Sequence, residues 1–383
     1  MSRPLRFGLI LSIALIALGL RLWNLGHLPI FSDEAMYIHL AQWVHDAPAE
    51  FALTRFEGKN PLFFGLNAIA FFLFNDPLIA GRMVSVAAGM AGLAGVYCIG
   101  RFLFSSAHGL LATLLYAVCP YVLFFDRLAL VDTLAGTLAV WGMYFSIKSV
   151  ASADRRAPFL AGLFLALGLW TKLSLFALLP AIPILFLSYR VPFKQALVRC
   201  GAILTAALLL TSPLFLWGKT ITLFMTSAPL QAPDYVLTAN EILQFPWERW
   251  TFNATLAGEF FFTYLTPPVA LVLAFGFLHA VVERRRETTA LALWTLIPTT
   301  VFVISGKGLF SRYFLLSVPP ALLLTAFAVH RLGEFANRLI ANIAPRIFRI
   351  AIGLPLLTAI TLTHAFFLPI CSPTGLKNLP CIG

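Results

Sequence analysis

The chain has 383 residues, of which 60% are hydrophobic and only 11% charged. A soluble domain carries about 25% charged and about 45–50% apolar residues, so water cannot solvate this surface and the bilayer must be the solvent. The formal charge of +11 raises nucleic acid as a partner, and its distribution along the chain excludes it.

In chain order, apolar runs long enough to cross a hydrocarbon core of ~30 Å recur from end to end. The first, 7–25, follows Arg3 and Arg6 and imitates a signal peptide. The stretch Arg21-Leu22-Trp23-Asn24 offers no small-x-small cleavage site, so it reads as an uncleaved helix. Further spans are predicted at 78–100, 107–125, 131–149, 158–171, 173–188, 200–217, 260–282, 289–305, 313–330 and 348–368. The expectation is an all-α polytopic protein with about eleven transmembrane helices. Residues 1–370 form one membrane domain with long outer loops at 26–77 and 218–259, and 371–383 form a short extracytoplasmic tail.

With the N-terminus inside, Arg3, Arg6, Arg101, Lys148, Arg155, Arg156, Arg190, Lys194, Arg199, Arg284, Arg285, Arg286, Arg331, Arg338, Arg346 and Arg349 face inward, against only Asp154, Glu283, Glu287 and Glu334. The basic surplus is therefore a topological signal and an attraction to anionic inner-leaflet lipid. No basic stretch has the interleaved aromatics of a single-strand binder. Cys98, Cys119 and Cys200 read as small core residues. Cys371 and Cys381, both outside, are a plausible disulfide or two unrelated thiols.

In the first outer loop, Ser32 is a good N-cap for a short interfacial helix, along which Met36, Leu40, Trp43 and Ala47 recur at helical spacing. Tyr37 and Trp43 suit the headgroup level. Asp33 and Glu34 fall in the first turn. One such acid is accounted for by the helix dipole. A pair set against the membrane also fits a catalytic carboxylate at the lipid–water boundary, and both readings stand. Asn60-Pro61 starts a second short helix and Asp76-Pro77 the next span. Between them, Arg55, Glu57 and Lys59 form a polar turn able to hold a phosphate, or an ordinary solvated turn.

Further motifs follow: Gly58-Lys59-Asn60-Pro61-Leu62, Arg82 through Gly89, Arg127 through Asp132, Gly168-Leu169-Trp170-Thr171-Lys172, and Gly306 through Pro320 with Ser311-Arg312-Tyr313. With Asp33-Glu34 after the first span, their order resembles the GT-C superfamily of lipid-carrier glycosyltransferases. The likeness is to family 39, which includes protein O-mannosyltransferases and lipid A aminoarabinose transferases. Asn60 departs from the usual Pro-Pro pair.

The resemblance implies an inverting transfer of a sugar from a polyprenyl-phosphate donor to an acceptor hydroxyl on a lipid, glycan or protein, at the outer face of a bacterial inner membrane. Such a transfer needs a base for the acceptor proton, for which Asp33 is the candidate. It also needs fixed cations for the growing phosphate charge. Arg55, Lys59, Arg127, Lys172 and Arg312 are the candidates, with Glu34, Glu57, His39 and Tyr313 as further site residues. Each has an ordinary alternative: Lys172 as a snorkelling lysine, Arg312 and Tyr313 as interface anchors, Arg127 as an ion-pair partner of Asp126 or Asp132, His39 as an interface histidine. Asp33, Glu34 and Glu57 can also supply oxygens to Mg²⁺ or Mn²⁺, although family 39 generally needs no cation. A secondary transporter and a non-catalytic lipid-binding scaffold are the competing classes. The first fits poorly, since the spans are nearly free of acids.

Overall fold

The computed structural model describes residues 2–48, 59–152, 154–216 and 235–343. Among them the regular elements are all helices: α1 (Arg3–Leu22), α2 (Ser32–Asp46), α3 (Leu62–Ala70), α4 (Pro77–Leu103), α5 (Ser106–Val118), α6 (Pro120–Asp126), α7 (Val131–Ala151), α8 (Ala157–Thr171), α9 (Ala181–Ser188), α10 (Phe193–Leu216), α11 (Ala239–Leu243), α12 (Trp247–Tyr264), α13 (Pro267–Glu283), α14 (Arg286–Ser305) and α15 (Val318–Ile343). The span expected at 348–368, residues 217–234 of the second outer loop, the tail cysteines, Arg55 and Glu57 lie outside the described residues.

The chain is an integral membrane protein. Among the described residues, α1 with its following turn, α4, α10 and α14 are each long and apolar enough to cross a bilayer. The bent pairs α5–α6 and α12–α13 bring the number to six. Several expected spans are instead broken, and each break falls at a proline. The run at 107–125 bends by 60° at Cys119-Pro120, and the run at 260–282 turns through 118° at Thr266-Pro267. The 173–188 segment is a 3₁₀ turn (Leu173–Leu178) and then α9 after Pro180, and the 313–330 segment is a 3₁₀ turn (Ser311–Leu316) and then α15. Proline lacks the N–H that continues the ladder and pushes the residue before it out of the helical region. Cys119, before Pro120, accordingly takes extended backbone with φ −60° and ψ 118°.

The core is the stack of α4 on α5 and α7, α7 on α8, α8 on α10, and α15 on α5 and α13. Small residues set the helix spacing. A Cβ on Gly162 would stand 2.8 Å from the Ile203 carbonyl oxygen of α10, a backbone contact that has nowhere to move. At Gly89 a Cβ would stand 2.2 Å from Asp126 Oδ2. That carboxylate is buried and holds Arg21 of α1 at 2.8 and 2.9 Å. Arg21 also donates to the carbonyls of Ala17 and Ala117 at 3.0 and 3.3 Å. The glycine thus makes room for the ion pair joining α1 to α6.

Two short helices cross the end of this stack. Helix α2 begins one residue earlier than expected, with Phe31 preceding it, and Glu34 Oε2 accepts the Phe31 N–H at 3.2 Å. Its inner face is Tyr37, Leu40, Ala41 and Val44, rather than the Met36–Leu40–Trp43–Ala47 stripe. Tyr37 is buried inside the protein and meets Phe63 and Phe64 of α3 edge-on, with centroids 6.3 and 5.6 Å away. Pro61 precedes α3, and Asp76 caps α4 by accepting from Leu78 and Ile79 N–H at 2.8 and 3.2 Å. Among the described cysteines, Cys119 is buried, and Cys98 and Cys200 are half-buried and free.

Gly89→Ala is expected to force Asp126 off Arg21 and leave a buried charge without its partner, a loss of about 3–5 kcal/mol. Thermal unfolding in lipid nanodiscs measures it, and an unchanged midpoint would mean the pair is not what joins α1 to the bundle.

Candidate active site

The adjacent acids of α2 have opposite fates. Glu34 is fully buried and accepts from Arg82 of α4 through both oxygens, at 2.8 and 2.9 Å. The same carboxylate accepts the Ala129 N–H at 2.8 Å. Arg82 spends its other N–H groups on the carbonyls of Leu25, Leu28 and Pro29 at 2.5, 3.1 and 3.3 Å. Both charges are thus paired and hydrogen-bonded, the condition under which an ion pair survives burial. Glu34 therefore lies outside the cavity lining, and it ties α2 to α4, to the turn after α1 and to the loop before α7.

Successive helical residues lie about 100° apart, so fixing Glu34 inward turns Asp33 to the neighbouring face. There Asp33 lines a cavity of about 710 Å³ with Tyr37, Lys59, Lys172, Arg312 and Tyr313. Arg312 Nη2 lies 2.9 Å from Asp33 Oδ2. Its guanidinium stands 4.6 Å from the Phe310 ring centre and 5.8 Å from that of Phe31. Lys172, in extended backbone between α8 and the following 3₁₀ turn, puts Nζ 2.5 Å from Asp132 Oδ1 and 4.5 Å from the Tyr313 ring centre. Lys59 stands 5.5 Å from the Tyr37 ring centre. Rings facing cations hold them in place without neutralising them.

Around the cavity the described residues supply three cations (Lys59, Lys172, Arg312) against two carboxylates (Asp33, Asp132), a surplus of one positive charge. Burial, then the charges of Asp132 and Asp33, pushes the Tyr37 phenol well above its ordinary value, with Arg312 opposing. Tyr37 thus stays a neutral hydrogen-bonding group.

The rest of the wall is built from breaks in helices. Asn60, which departs from the family's proline, is buried and its amide donates to the Leu169 carbonyl near the end of α8. A proline has no such donor. It fastens the Lys59 turn beside the Lys172 break. Opposite, Leu237 N–H donates to the Ser305 carbonyl at 2.7 Å and Lys307 N–H to that of Tyr235 at 2.9 Å, which brings Tyr235 and Val236 over the cavity. Lys307 pairs with Glu241 at 2.8 Å, and this contact with the Thr238 hydrogen bonds holds the Glu241 carboxyl down at about 2. Tyr121 of α6 donates to the Ser311 carbonyl and anchors the turn that carries Arg312.

Three expected site residues lie elsewhere. Arg127 donates to the Trp23 carbonyl and does not line the cavity. Neither neighbouring acid pairs with it, because Asp126 holds Arg21 and Asp132 holds Lys172. His39 lies on another face of α2, in a separate groove. Glu34 is turned away as described. With Glu34 taken by Arg82, the metal set of Asp33, Glu34 and Glu57 does not assemble from the described residues, and among these no cluster of three or more His, Cys, Asp or Glu occurs. Two participants go beyond the sequence reading. Tyr37 stands one turn after Asp33, a spacing that signals it. Asp132 reaches Lys172 across 40 residues, and no local pattern reports that.

The division between the two acids is testable by stability. Glu34→Gln leaves Arg82 buried without a counter-charge and is expected to cost about 3–5 kcal/mol. Asp33→Asn breaks a partly exposed pair, at about 1 kcal/mol or less. Thermal unfolding of the two variants in nanodiscs decides, and equal losses would remove the distinction.

Residues 58–217 match the family described as dolichyl-phosphate-mannose-protein mannosyltransferase. No curated protein matches the chain by sequence. Among solved structures, ArnT from Cupriavidus metallidurans bound to undecaprenyl phosphate is similar with a TM-score of 0.63 at 14% identity, covering 96% of this chain and 72% of that one. The archaeal oligosaccharyltransferase AglB from Archaeoglobus fulgidus, in complex with an inhibitory peptide and a dolichol-phosphate, is similar with a TM-score of 0.58 at 14% identity. That match covers 98% of this chain but 56% of AglB, so the chain spans little more than half the oligosaccharyltransferase's length. The chain thus shares the fold of ArnT and AglB, and its segment 58–217 is similar to the protein mannosyltransferases.

Proposed function

We propose that the protein is an inverting glycosyltransferase that moves a sugar from a polyprenyl-phosphate carrier to an acceptor hydroxyl. The observation that carries this reading is the convergence of Asp33, Lys59, Lys172 and Arg312 on one cavity. The site holds one carboxylate able to take a proton, facing a cationic surplus suited to a phosphate. The undecaprenyl phosphate and dolichol-phosphate in the similar structures favour the same donor class.

In the reaction the acceptor oxygen forms its bond to the anomeric carbon while the bond from that carbon to the phosphate oxygen breaks. The bonding pair leaves with the phosphate, and the acceptor proton goes to Asp33. The leaving phosphate gains one negative charge, which Arg312 and Lys172 stabilise from fixed positions. Arg312 offers a planar fork and Lys172 a point charge. Arg312 is bonded to Asp33. A donor phosphate competes for that guanidinium, so donor binding frees the carboxylate as a base only when there is a phosphate to be released. The reading gives charge stabilisation to these side chains rather than to Mg²⁺ or Mn²⁺.

Orientation follows from helix length. Helix α14 runs from Arg286 to Ser305, and 20 residues at ~1.5 Å each cover about 30 Å. The Arg284–Arg286 turn and the cavity thus lie at opposite membrane faces. The positive-inside rule puts the arginines in the cytoplasm and the site outside, with a bacterial inner membrane as the proposed location.

The test is release of polyprenyl phosphate from a panel of short-chain polyprenyl-phosphate sugars by protein in nanodiscs, with EDTA present. Asp33→Asn is expected to lower turnover by about 10²–10⁴-fold and Arg312→Ala by about 10²–10³-fold, both without loss of fold. Release from no donor, or release indifferent to Asp33, would overturn the reading in favour of a transporter or a scaffold. Release that requires added divalent cation would overturn the metal-free step.

A further inference from the structure

The second concavity at this end of the molecule is a groove of about 900 Å³ between α2, the end of α3 and the start of α4. Helix α2 contributes His39, Gln42, Trp43 and Asp46, and Phe71 and Asn75 face them from the other wall. The four positions on α2 are spaced i, i+3, i+4 and i+7, which is one helical face. This face is distinct from the buried one formed by Tyr37, Leu40, Ala41 and Val44. Trp43 is 39% exposed. His45 is held in the same groove by its Nδ1, which donates to the Ala68 carbonyl at 3.0 Å, and by its ring, which meets Phe71 edge-on at 5.6 Å.

The lining mixes an aromatic and apolar wall of Trp43, Phe71, Phe74 and Pro77 with convergent polar groups. A headgroup-level tryptophan acting as an anchor needs no amides beside it. Here Trp43 is accompanied by Gln42, Asn75 and Asp46, with His39 at the rim. Amides and a carboxylate donate to and accept from pairs of hydroxyls. An aromatic ring offers an apolar face to C–H groups. Exposed aromatics with a few convergent polar groups that bear no net positive charge match an uncharged polyhydroxylated ligand.

The groove and the cavity are separate, but both border α2. Ser32 and Met36 line the cavity, while His39 and Trp43 line the groove. The spacing Ser32, Met36, His39, Trp43 is i, i+4, i+7, i+11, a single stripe along α2. Met36 and Trp43 are seven residues apart, about 10 Å along the axis. An elongated ligand lying on this stripe would keep one end beside Asp33 and the rest in the groove.

We propose that this groove binds a saccharide, and that it is the docking site for a glycan-bearing acceptor whose terminal hydroxyl reaches Asp33. Saccharide binding stands on the groove alone, and the acceptor role rests on the proposed transferase function. The experiment is saturation-transfer NMR of wild type and groove variants in nanodiscs against soluble tetrasaccharides of glucose, galactose, mannose and N-acetylglucosamine. The same sugars carried on a lipid in the disc serve as competitors. At least one saccharide is expected to bind wild type, and to bind Trp43→Ala more weakly by about tenfold or more. Gln42→Ala combined with Asp46→Asn alters two exposed positions and serves should Trp43→Ala not fold. Competition by the lipid-borne form identifies a glycolipid source, its absence a soluble one, and either supports the site. No saccharide binding at millimolar concentration, or binding that both groove variants leave unchanged, would overturn it. Because this readout needs no turnover, its failure is distinct from failure to release polyprenyl phosphate.

Discussion

Two fully buried charges, Glu34 and Arg82, set the geometry of the site. Among the described residues this is the ion pair with neither side chain exposed. Removing either charge from water is costly, and the cost is offset only because every neighbour cooperates. Ala129 and Phe31 donate to the carboxylate, and Leu25, Leu28 and Pro29 accept from the guanidinium. Those partners come from the turn after α1, the start of α2 and the approach to α7. Once the pair forms, α2 can neither rotate nor slide without stranding a charge. The direction of Asp33 follows from that constraint, although Asp33 makes none of these bonds. The interaction that places the proposed base is thus one residue away from it.

The same logic shows what a sequence of this kind displays and what it hides. Apolar runs and proline positions are local facts, so the membrane class, most helix positions and the capping of α4 by Asp76 were legible. The motif order pointed to the fold that the similar structures share, and Asp33, Lys59, Lys172, Arg312 and Tyr313 do converge. Pairing between distant charges is not local. Asp33 and Glu34 look alike in sequence, and only Arg82, 48 residues away, distinguishes them. Arg127 sits between two acids, yet both are claimed by cations from other helices. Counting spans by apolar length also overlooks that proline breaks turn a run such as 260–282 into a corner. Such corners are absent from a hydropathy pattern because both arms are equally apolar.

Those breaks have a functional side. Lys172 and Arg312 both stand where a helix is interrupted, Lys172 between α8 and the turn at Leu173–Leu178, Arg312 in the turn at Ser311–Leu316. A continuous helix would satisfy its own backbone and project side chains sideways into neighbouring helices or lipid. An interruption instead brings a side chain over the end of the bundle, and it is tolerated at membrane depth only where protein or a water-filled cavity covers the freed backbone groups. The Tyr121 hydroxyl on the Ser311 carbonyl and the Asn60 amide on the Leu169 carbonyl are such covers. Asn60 therefore compensates for its own departure from the family pattern. Where the first proline of the usual pair would stiffen the turn, this chain ties it with a buried hydrogen bond, and Lys59 lines the cavity beside Lys172.

Charge matching makes the site stable and leaves it responsive to an incoming anion. Each carboxylate at the cavity lies against a cation, Asp33 against Arg312 and Asp132 against Lys172, while Lys59 rests over an aromatic ring. No charge is left isolated near the low-dielectric interior, where an unpaired one would be costly. The two pairs differ in how firmly they are held. Asp132 is nearly buried, with 3% of its side chain exposed, whereas Asp33 is 24% exposed and Arg312 15%. Water screens the second pair more, so an incoming anion can exchange for it more cheaply. On the proposed reaction the donor phosphate takes Arg312 from Asp33, and the deeper pair keeps Lys172 fixed. One pair then yields to substrate while the other preserves the frame, a division of labour set by the unequal burial of the two carboxylates.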